Sequence, residues 1–295
     1  MAIKLYRKIV PYSIRKYIYD LFLENILYFI RNFSVILQSK ISYYFYWFLP
    51  KTEINNVYKF MGKHGITSYP YDYMLEYKKK DVQIFVDDKI QLPFVIHNNR
   101  KLYFRKSTDF EKIKSEYLAL LIEQDPRSAH RYVNSYSELK NRSLLDVGCA
   151  EAIFSLDSID YLEHLYLFEY NDEWMIPLQA TFSPWKDKVT IIKKMVGNIT
   201  SESQITIDDF LNDKINQNLF IKMDIEGSEL VALNGALKTL KSGLNIQLAV
   251  CTYHRKGDPE IISDLLSSIE FQNEFTNGLM YWDKKFSKGI LRSKK

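Results

Sequence analysis

The sequence predicts an α/β protein built on a doubly wound, mostly parallel sheet that closes with a terminal antiparallel hairpin. Three observations carry that prediction. From residue 143 onward, apolar runs of strand length alternate with runs of helix length. The first of them, Ser143–Val147, opens into a turn of small residues, Asp146-Val-Gly148-Cys149-Ala150, and restarts as a helix. Near the end, Asn277-Gly278 separates Phe271–Phe275 from Leu279–Trp282, which is the signal of a tight hairpin. A helical region and a small β-meander precede this core.

Taken in order, residues 1–60 form an aromatic and basic helical region, with nine Tyr, six Phe and Trp47. Ile14, Ile18, Phe22, Ile26 and Phe29/Ile30 recur at helical spacing beside a polar row of Lys16, Asp20 and Glu24. That pattern predicts an amphipathic helix over 13–31, and a second, aromatic helix is expected over 34–48. Such a region can cap the α/β domain, lie in a bilayer interface through residues 1–50, or pair copies into a homo-oligomer. Residues 61–140 form the second extension. From Asp81 the period drops to two, and Val82–Val86, Ile90–Ile96 and Lys101–Phe104 read as an antiparallel meander joined at Asp87–Lys89 and His97–Arg100. A helix over Asp109–Gln124 and the loop Asp125–Tyr132 follow. Residues 141–286 form the main domain, with strands at 143–147, 164–169, 188–193, 218–223 and 244–251. Its helices are expected at 151–160, 172–182, 206–215, 227–240 and 258–269. Residues 287–295 read as a basic tail.

Charge and cysteine usage narrow the partners. Residues 1–60 hold nine Lys/Arg against three acids, so the net charge of +4 belongs to the N-terminus and the remainder is slightly acidic. A generally basic nucleic-acid binder is not expected. Two cysteines, Cys149 and Cys251, exclude a disulfide framework and fit free thiols in a reducing cytoplasm. Lys4, Arg7, Lys8, Arg15 and Lys16 interrupt any secretory apolar core. The uncharged run Ile41–Pro50 is about half the ~20 residues a spanning helix needs. The expected location is the cytoplasm, or the inner face of a membrane as a peripheral protein.

The turn at Asp146 is where a parallel strand meets a nucleoside-bearing ligand. Gly148, Cys149, Ala150 and Glu151 let the backbone approach it, with N–H groups facing it. Asp146 disfavours a pyrophosphate and favours a cationic amino group, such as that of S-adenosylmethionine (SAM). Glu169 ends the next strand, where an acid accepts ribose hydroxyls of NAD or SAM alike. Val196-Gly197-Asn198 ends the third strand, with Asn198 placed against adenine. The fourth strand delivers Lys222, Asp224 and Glu226 to the same sheet edge; Lys222 and Asp224 share a face, so an ion pair between them is the plain reading. Asp224 stands where methyl donor and acceptor would meet. Glu226-Gly227-x-Glu229 reads equally as a helix start. His254 and Tyr253 emerge after the fifth strand, and His254 is the expected base. No metal ligand set has fixed spacing; a divalent ion held by Asp224, Glu226, His254 and Asp258 is the less favoured alternative.

Together these residues resemble the FkbM family of SAM-dependent methyltransferases, over about 143–282. Ile221-Lys-Met-Asp-Ile-Glu-Gly-Ser-Glu229 is similar to that family's Lys-x-Asp-x-Glu-Gly-x-Glu signature. Leu145-Asp-Val-Gly-Cys-Ala-Glu151 matches its first motif, Phe168-Glu169 its strand-end acid and Thr206-Ile-Asp-Asp-Phe210 its Thr-Leu-Asp-like segment. Glu123–Tyr132 looks like an upstream segment of one bacterial branch. The resemblance implies a Rossmann-like class I methyltransferase fold and O-methylation of a sugar, glycan or glycolipid. Ala152 stands where a glycine is usual and bears on cofactor fit. The competing expectation is a SAM-fold binding or scaffold module of reduced chemistry, docked through its N-terminal helices. An NAD enzyme is the distant third, disfavoured by Asp146 and the hairpin.

Overall fold

The computed structural model describes residues 10–12, 24–212 and 218–295. The chain divides into two compact units, residues 1–70 and 71–295.

In the first unit, α1 (Glu24–Phe45) runs through a 3₁₀ turn (Tyr46–Phe48) to α2 (Glu53–His64). The sequence divided this stretch into helices over 13–31 and 34–48; instead α1 runs unbroken across residues 31–34, and 13–23 lie outside the described residues. Residues 31–34, Arg-Asn-Phe-Ser, include no proline or glycine to break the helix, and the Asn32 amide donates to the Tyr28 carbonyl at 2.9 Å within it. Thr52 caps α2 by accepting the Asn55 N–H, and the chain leaves it at Gly65. Val35, Ser39 and Ser42 form the buried face of α1. A side chain at Gly62 would lie 2.2 Å from the Ser39 carbonyl oxygen, so glycine sets how closely α1 and α2 approach.

The second unit starts with the short helix α3 (Met74–Tyr77) and an antiparallel sheet of β1 (Phe85–Val86), β2 (Pro93–His97) and β3 (Arg100–Tyr103). Asn98 and Asn99 both take positive φ between β2 and β3, as a two-residue hairpin turn demands. Helix α4 (Phe110–Glu123) follows, capped by the Asp109 carboxylate on the Lys112 N–H. The main sheet then alternates with helices: β4 (Ser143–Val147), α5 (Ile153–Ser158), β5 (His164–Phe168), α6 (Met175–Phe182), β6 (Val189–Ile192), a small parallel pair β7 (Met195–Val196) and β8 (Gln204–Ile205), α7 (Ile207–Leu211), β9 (Asn218–Met223), α8 (Glu229–Asn234), α9 (Leu237–Lys241), β10 (Asn245–Cys251) and α10 (Asp258–Ser268). The meander is tied into this unit, since the β3 amide of Tyr103 donates to Thr181 of α6 at 3.1 Å.

The seven-stranded sheet has the order β11-β14-β10-β9-β4-β5-β6, where β11 is Gln272–Phe275 and β14 is Ile290–Lys294. Five adjacent strands, β10-β9-β4-β5-β6, are parallel; at the β10 side β14 pairs antiparallel with β10, and β11 antiparallel with β14. This is the class I methyltransferase arrangement. On one face Leu145, Val147, Ile221, Met223, Leu248 and Val250 pack against Ala232, Leu233, Leu240, Ile262 and Leu266. The alternate residues Asp146 and Lys222 therefore point to the other face.

Two expectations are corrected at the C-terminus. The hairpin does not turn at Asn277-Gly278: β11 pairs with β14, and a separate hairpin of β12 (Met280–Trp282) and β13 (Lys285–Ser287) lies between them. Its two-residue turn is Asp283-Lys284, both at positive φ, which the sequence does not advertise. The expected basic tail is an interior strand, because Ile290 and Leu291 are fully buried between β10 and β11. Elsewhere, the single helix expected over 227–240 breaks at Gly235, and Asp208 caps the second piece by accepting the Lys238 and Thr239 N–H groups. The Thr206–Phe210 motif is thus explained by capping: Thr206 caps α7 and Asp208 caps α9.

Candidate active site

The carboxyl ends of β4, β5 and β9 border a cavity of about 680 Å3, in the range of small-molecule sites. The turn after β4 forms its wall. Gly148 has a φ of +76°, and a Cβ there would lie 2.0 Å from the Asp224 carbonyl oxygen. Glycine is required by the close packing of the turn on the end of β9, not by room for a ligand. The N–H groups of Gly148 and Cys149 donate to the Phe168 carbonyl at 3.0 and 3.2 Å. That of Ala150 donates to the Glu169 carboxylate at 3.1 Å. These three groups fasten the turn to β5, so the expectation that they face a ligand is corrected. Ala150 and Ala152 both sit at positive φ, where a Cβ is strained.

Asp146 is not the free anion the sequence suggested. It is fully buried, 2.9 Å from the Lys222 ammonium, and accepts the Ser155 hydroxyl at 2.6 Å. The parallel register of β4 and β9 places Asp146 beside Lys222, which replaces the expected Lys222–Asp224 pair. Lys222 also donates to the Gly148 carbonyl at 2.6 Å and so ties down the turn. The cavity owes its charge to other groups: besides the Asp146–Lys222 pair, six acids line it against Lys194. Burial pushes the Glu151 carboxyl up to about 7, reinforced by the charge of nearby Glu116. A cationic ligand suits this lining. Glu169 accepts the Ala150 and Asn171 N–H groups through different oxygens, and a carboxylate so held retains lone pairs for hydroxyls at the cavity wall. The donor set therefore fits SAM, which carries both a sulfonium and ribose hydroxyls. Gly148, Cys149, Ala150, Glu151, Glu169 and Asp224 all line the cavity with Asp146. Asn198 does not; it lies exposed beyond the wall, and Val196 lines the cavity in its place.

At the end of β9, Asp224 accepts the Tyr132 hydroxyl at 2.8 Å. It lies 3.6 Å from a ring nitrogen of His130 and 3.6 Å from Nε2 of His254. Burial acts to raise its pKa, but Lys222, His130, His254 and the Tyr132 hydrogen bond outweigh that and hold the carboxyl below its usual range. His254 lies behind the cavity wall rather than on it, joined to it through Asp224 and Glu226. Its Nδ1 is 2.8 Å from Glu229, which is fully buried and also accepts the Ile225 N–H. Nε2 has no hydrogen-bond partner, although it is buried and only 3.5 Å from Glu226. Trp282 stands edge-on to the ring with centroids 6.0 Å apart. Burial lowers the pKa of His254, but the Glu229 hydrogen bond and the charges of Glu229, Asp224 and Glu226 raise it further than burial lowers it. A carboxylate on Nδ1 fixes the proton there and leaves the Nε2 lone pair available.

Comparison with known proteins fits this geometry. The model of the methyltransferase FkbM domain matches residues 99–274, more than half of the chain. The chain belongs to the FkbM methyltransferase family. Among solved structures, the FkbM chain is similar to methyltransferase FkbM from Methylobacillus flagellatus KT, at 23% identity and a TM-score of 0.42; the match covers 63% of this chain and 55% of that one. It is also similar to the fibrillarin pre-rRNA processing protein of Methanococcus jannaschii, at 12% identity, a TM-score of 0.40 and coverage of 73% and 97%. A third likeness is to SMU.1697c, a putative methyltransferase from Streptococcus mutans in complex with SAH, at 13% identity, a TM-score of 0.36 and coverage of 54% and 93%. A search of the curated proteins finds no match.

Several residues of the FkbM domain gain a place that sequence reasoning did not give them. Glu229 is both the first residue of α8 and the partner of His254; its spacing in the Lys222–Glu229 motif was the available signal. Tyr132 and His130 come from a segment marked only by its resemblance to one branch of the family. Trp282, beyond the matched domain, ends a strand the sequence did place, at Leu279–Trp282, but its pairing with β13 rather than with 271–275 is what sets it against His254. Two groupings bring ligand-type atoms within 4.8 Å of one another among the described residues: His130, Asp224 and Cys251, and Asp224, Glu229 and His254. Asp258, the fourth ligand of the alternative metal set, instead accepts the Arg255 N–H at 3.2 Å.

Proposed function

We propose that this FkbM-family chain is a SAM-dependent O-methyltransferase whose acceptor is a hydroxyl of a sugar, glycan or glycolipid intermediate. The observation that carries the reading is the buried Glu229–His254 pair, with the unpartnered Nε2 beside Asp224 at the cavity. When bound, SAM supplies an electrophilic methyl group on a cationic sulfonium. The acidic lining holds that cation, and Glu169 accepts ribose hydroxyls. Asp224 orients the acceptor hydroxyl toward the cavity. Asp224, which lines the cavity, accepts the hydroxyl proton and passes it to His254 Nε2, 3.6 Å behind it, and Glu229 stabilises the imidazolium through Nδ1. Orientation supplies much of the acceleration, because the donor is already activated.

Calorimetry with SAM and S-adenosylhomocysteine tests the cofactor; binding of both is expected, and no heat at millimolar ligand would refute the reading. Transfer of labelled methyl to a panel of glycans tests the acceptor. A non-catalytic SAM-fold scaffold is the second reading, favoured by the strained alanines at 150 and 152. A scaffold would show no transfer in the unaltered protein that His254→Ala could abolish.

A further inference from the structure

Helix α1 is turned inside out. Its buried face is small or polar, with Val35, Ser39 and Ser42 set closely against Gly62 of α2. Its large apolar residues, Ile26, Ile30, Phe33, Leu37, Ile41 and Tyr44, are exposed and recur every three or four positions, so they form one stripe along the helix. In water the opposite distribution is favoured, since an amphipathic helix buries its apolar stripe. Small residues between helices and large apolar residues outside are the distribution that suits lipid. The stripe continues into Trp47 and Phe48, which are 88% and 87% exposed.

Charge identifies the covering surface. Residues 24–70 carry Arg31, Lys40, Lys51, Lys59 and Lys63 against Glu24 and Glu53. The Lys51 and Lys59 ammonium groups lie 3.7 and 3.8 Å from the Tyr46 ring centre, next to Trp47. Aromatic rings with cations beside them are what the headgroup layer of a bilayer accommodates. At 22 residues α1 is about 33 Å long, but no helix among the described residues is apolar enough to cross a membrane. We propose that this face of α1, with Trp47, Phe48, Lys51 and Lys59, docks in the plane of an anionic phospholipid bilayer. The inference is independent of the acceptor and of catalysis.

Sedimentation of the full chain with vesicles provides the test. Binding to phosphatidylcholine vesicles containing phosphatidylglycerol is expected, with weaker binding to phosphatidylcholine alone and release by salt. Phe33→Glu with Leu37→Glu should abolish it while leaving the heat of SAM binding unchanged. Lys51→Glu with Lys59→Glu should lower partitioning at least roughly twentyfold. Vesicle-induced blue-shifted fluorescence should disappear in Trp47→Phe. Failure of the unaltered chain to bind anionic vesicles would overturn the proposal. So would a stable dimer that Phe33→Glu with Leu37→Glu dissociates without any vesicle binding, because the stripe would then be an interface between copies.

Discussion

Two buried acid–base clusters lie at neighbouring strand ends and differ in one respect. Around Asp146, the acid meets Lys222 and Ser155, and Lys222 also bonds the Gly148 carbonyl. Around His254, Glu229 occupies Nδ1 but nothing hydrogen-bonds Nε2. The first cluster is closed by a counter-ion and holds the turn in shape. The second keeps a lone pair beside an acid that lines the cavity. Proximity to the sheet edge does not by itself distinguish structure from chemistry, and neither does an unused hydrogen-bonding atom, since Asp146 Oδ1 is one as well. The difference is the neutralising cation, Lys222 at 2.9 Å from Asp146.

The largest expected effect breaks the comparison on its open side. His254→Ala should lower methyl transfer by about 10²–10⁴-fold while leaving SAM binding intact, as read by initial rates and calorimetry. Retained activity would remove His254 from the reaction. On the closed side, Lys222→Met leaves Asp146 buried without its cation and should cost about 3–5 kcal/mol in denaturant unfolding. Asp146→Leu combined with Lys222→Met should recover much of that loss. If the double variant is no more stable than the single one, Asp146 has a role beyond the pair.

The pH profile sharpens the contrast. His254 acts as a base only when neutral, and its pKa is raised, so activity should climb with pH through a midpoint above the ordinary 6.5. Glu229→Gln should move that midpoint down and lower the rate, since the partner of Nδ1 loses its charge. An unmoved acid limb would show that another group titrates. The same pairing stabilises the fold fully below pH 6.5 and fades as pH rises through the raised value. The smallest effect concerns the turn itself. Ala152→Gly relieves a left-handed alanine, costing about 1–2 kcal/mol, against a glycine entropy penalty of about 0.5–1 kcal/mol. A stability gain near 0.5 kcal/mol and tighter SAM binding are expected; lower thermal stability would show that Ala152 is not strained.

Much of the α/β core was legible because its signals are local. Apolar runs of strand length located β4, β5, β9 and β10 to within a residue or two, and Asp109 marked the start of α4. Asp224 and Glu169 were legible as acids at strand ends. The errors involve partners distant in sequence. Asn277-Gly278 is a sound turn signal, yet β11 pairs with β14 because Ile290 and Leu291 find burial between two strands. Asn198 follows the right strand but is exposed and does not line the cavity. Glu229 was read as a helix-start acid, and it is one; its bond to His254 joins residues 25 apart.

The sequence by itself determined the order of strands and helices, the FkbM motifs and the acids at the sheet edge. These follow from side-chain period and residue type within short windows. Only the tertiary structure decided which acids are neutralised and which are left to act. Lateral strand register put Lys222 beside Asp146, and the return of the chain after β10 put His254 beside Glu229. Burial then made each pairing consequential, because a charge removed from water takes its properties from whichever group lies next to it.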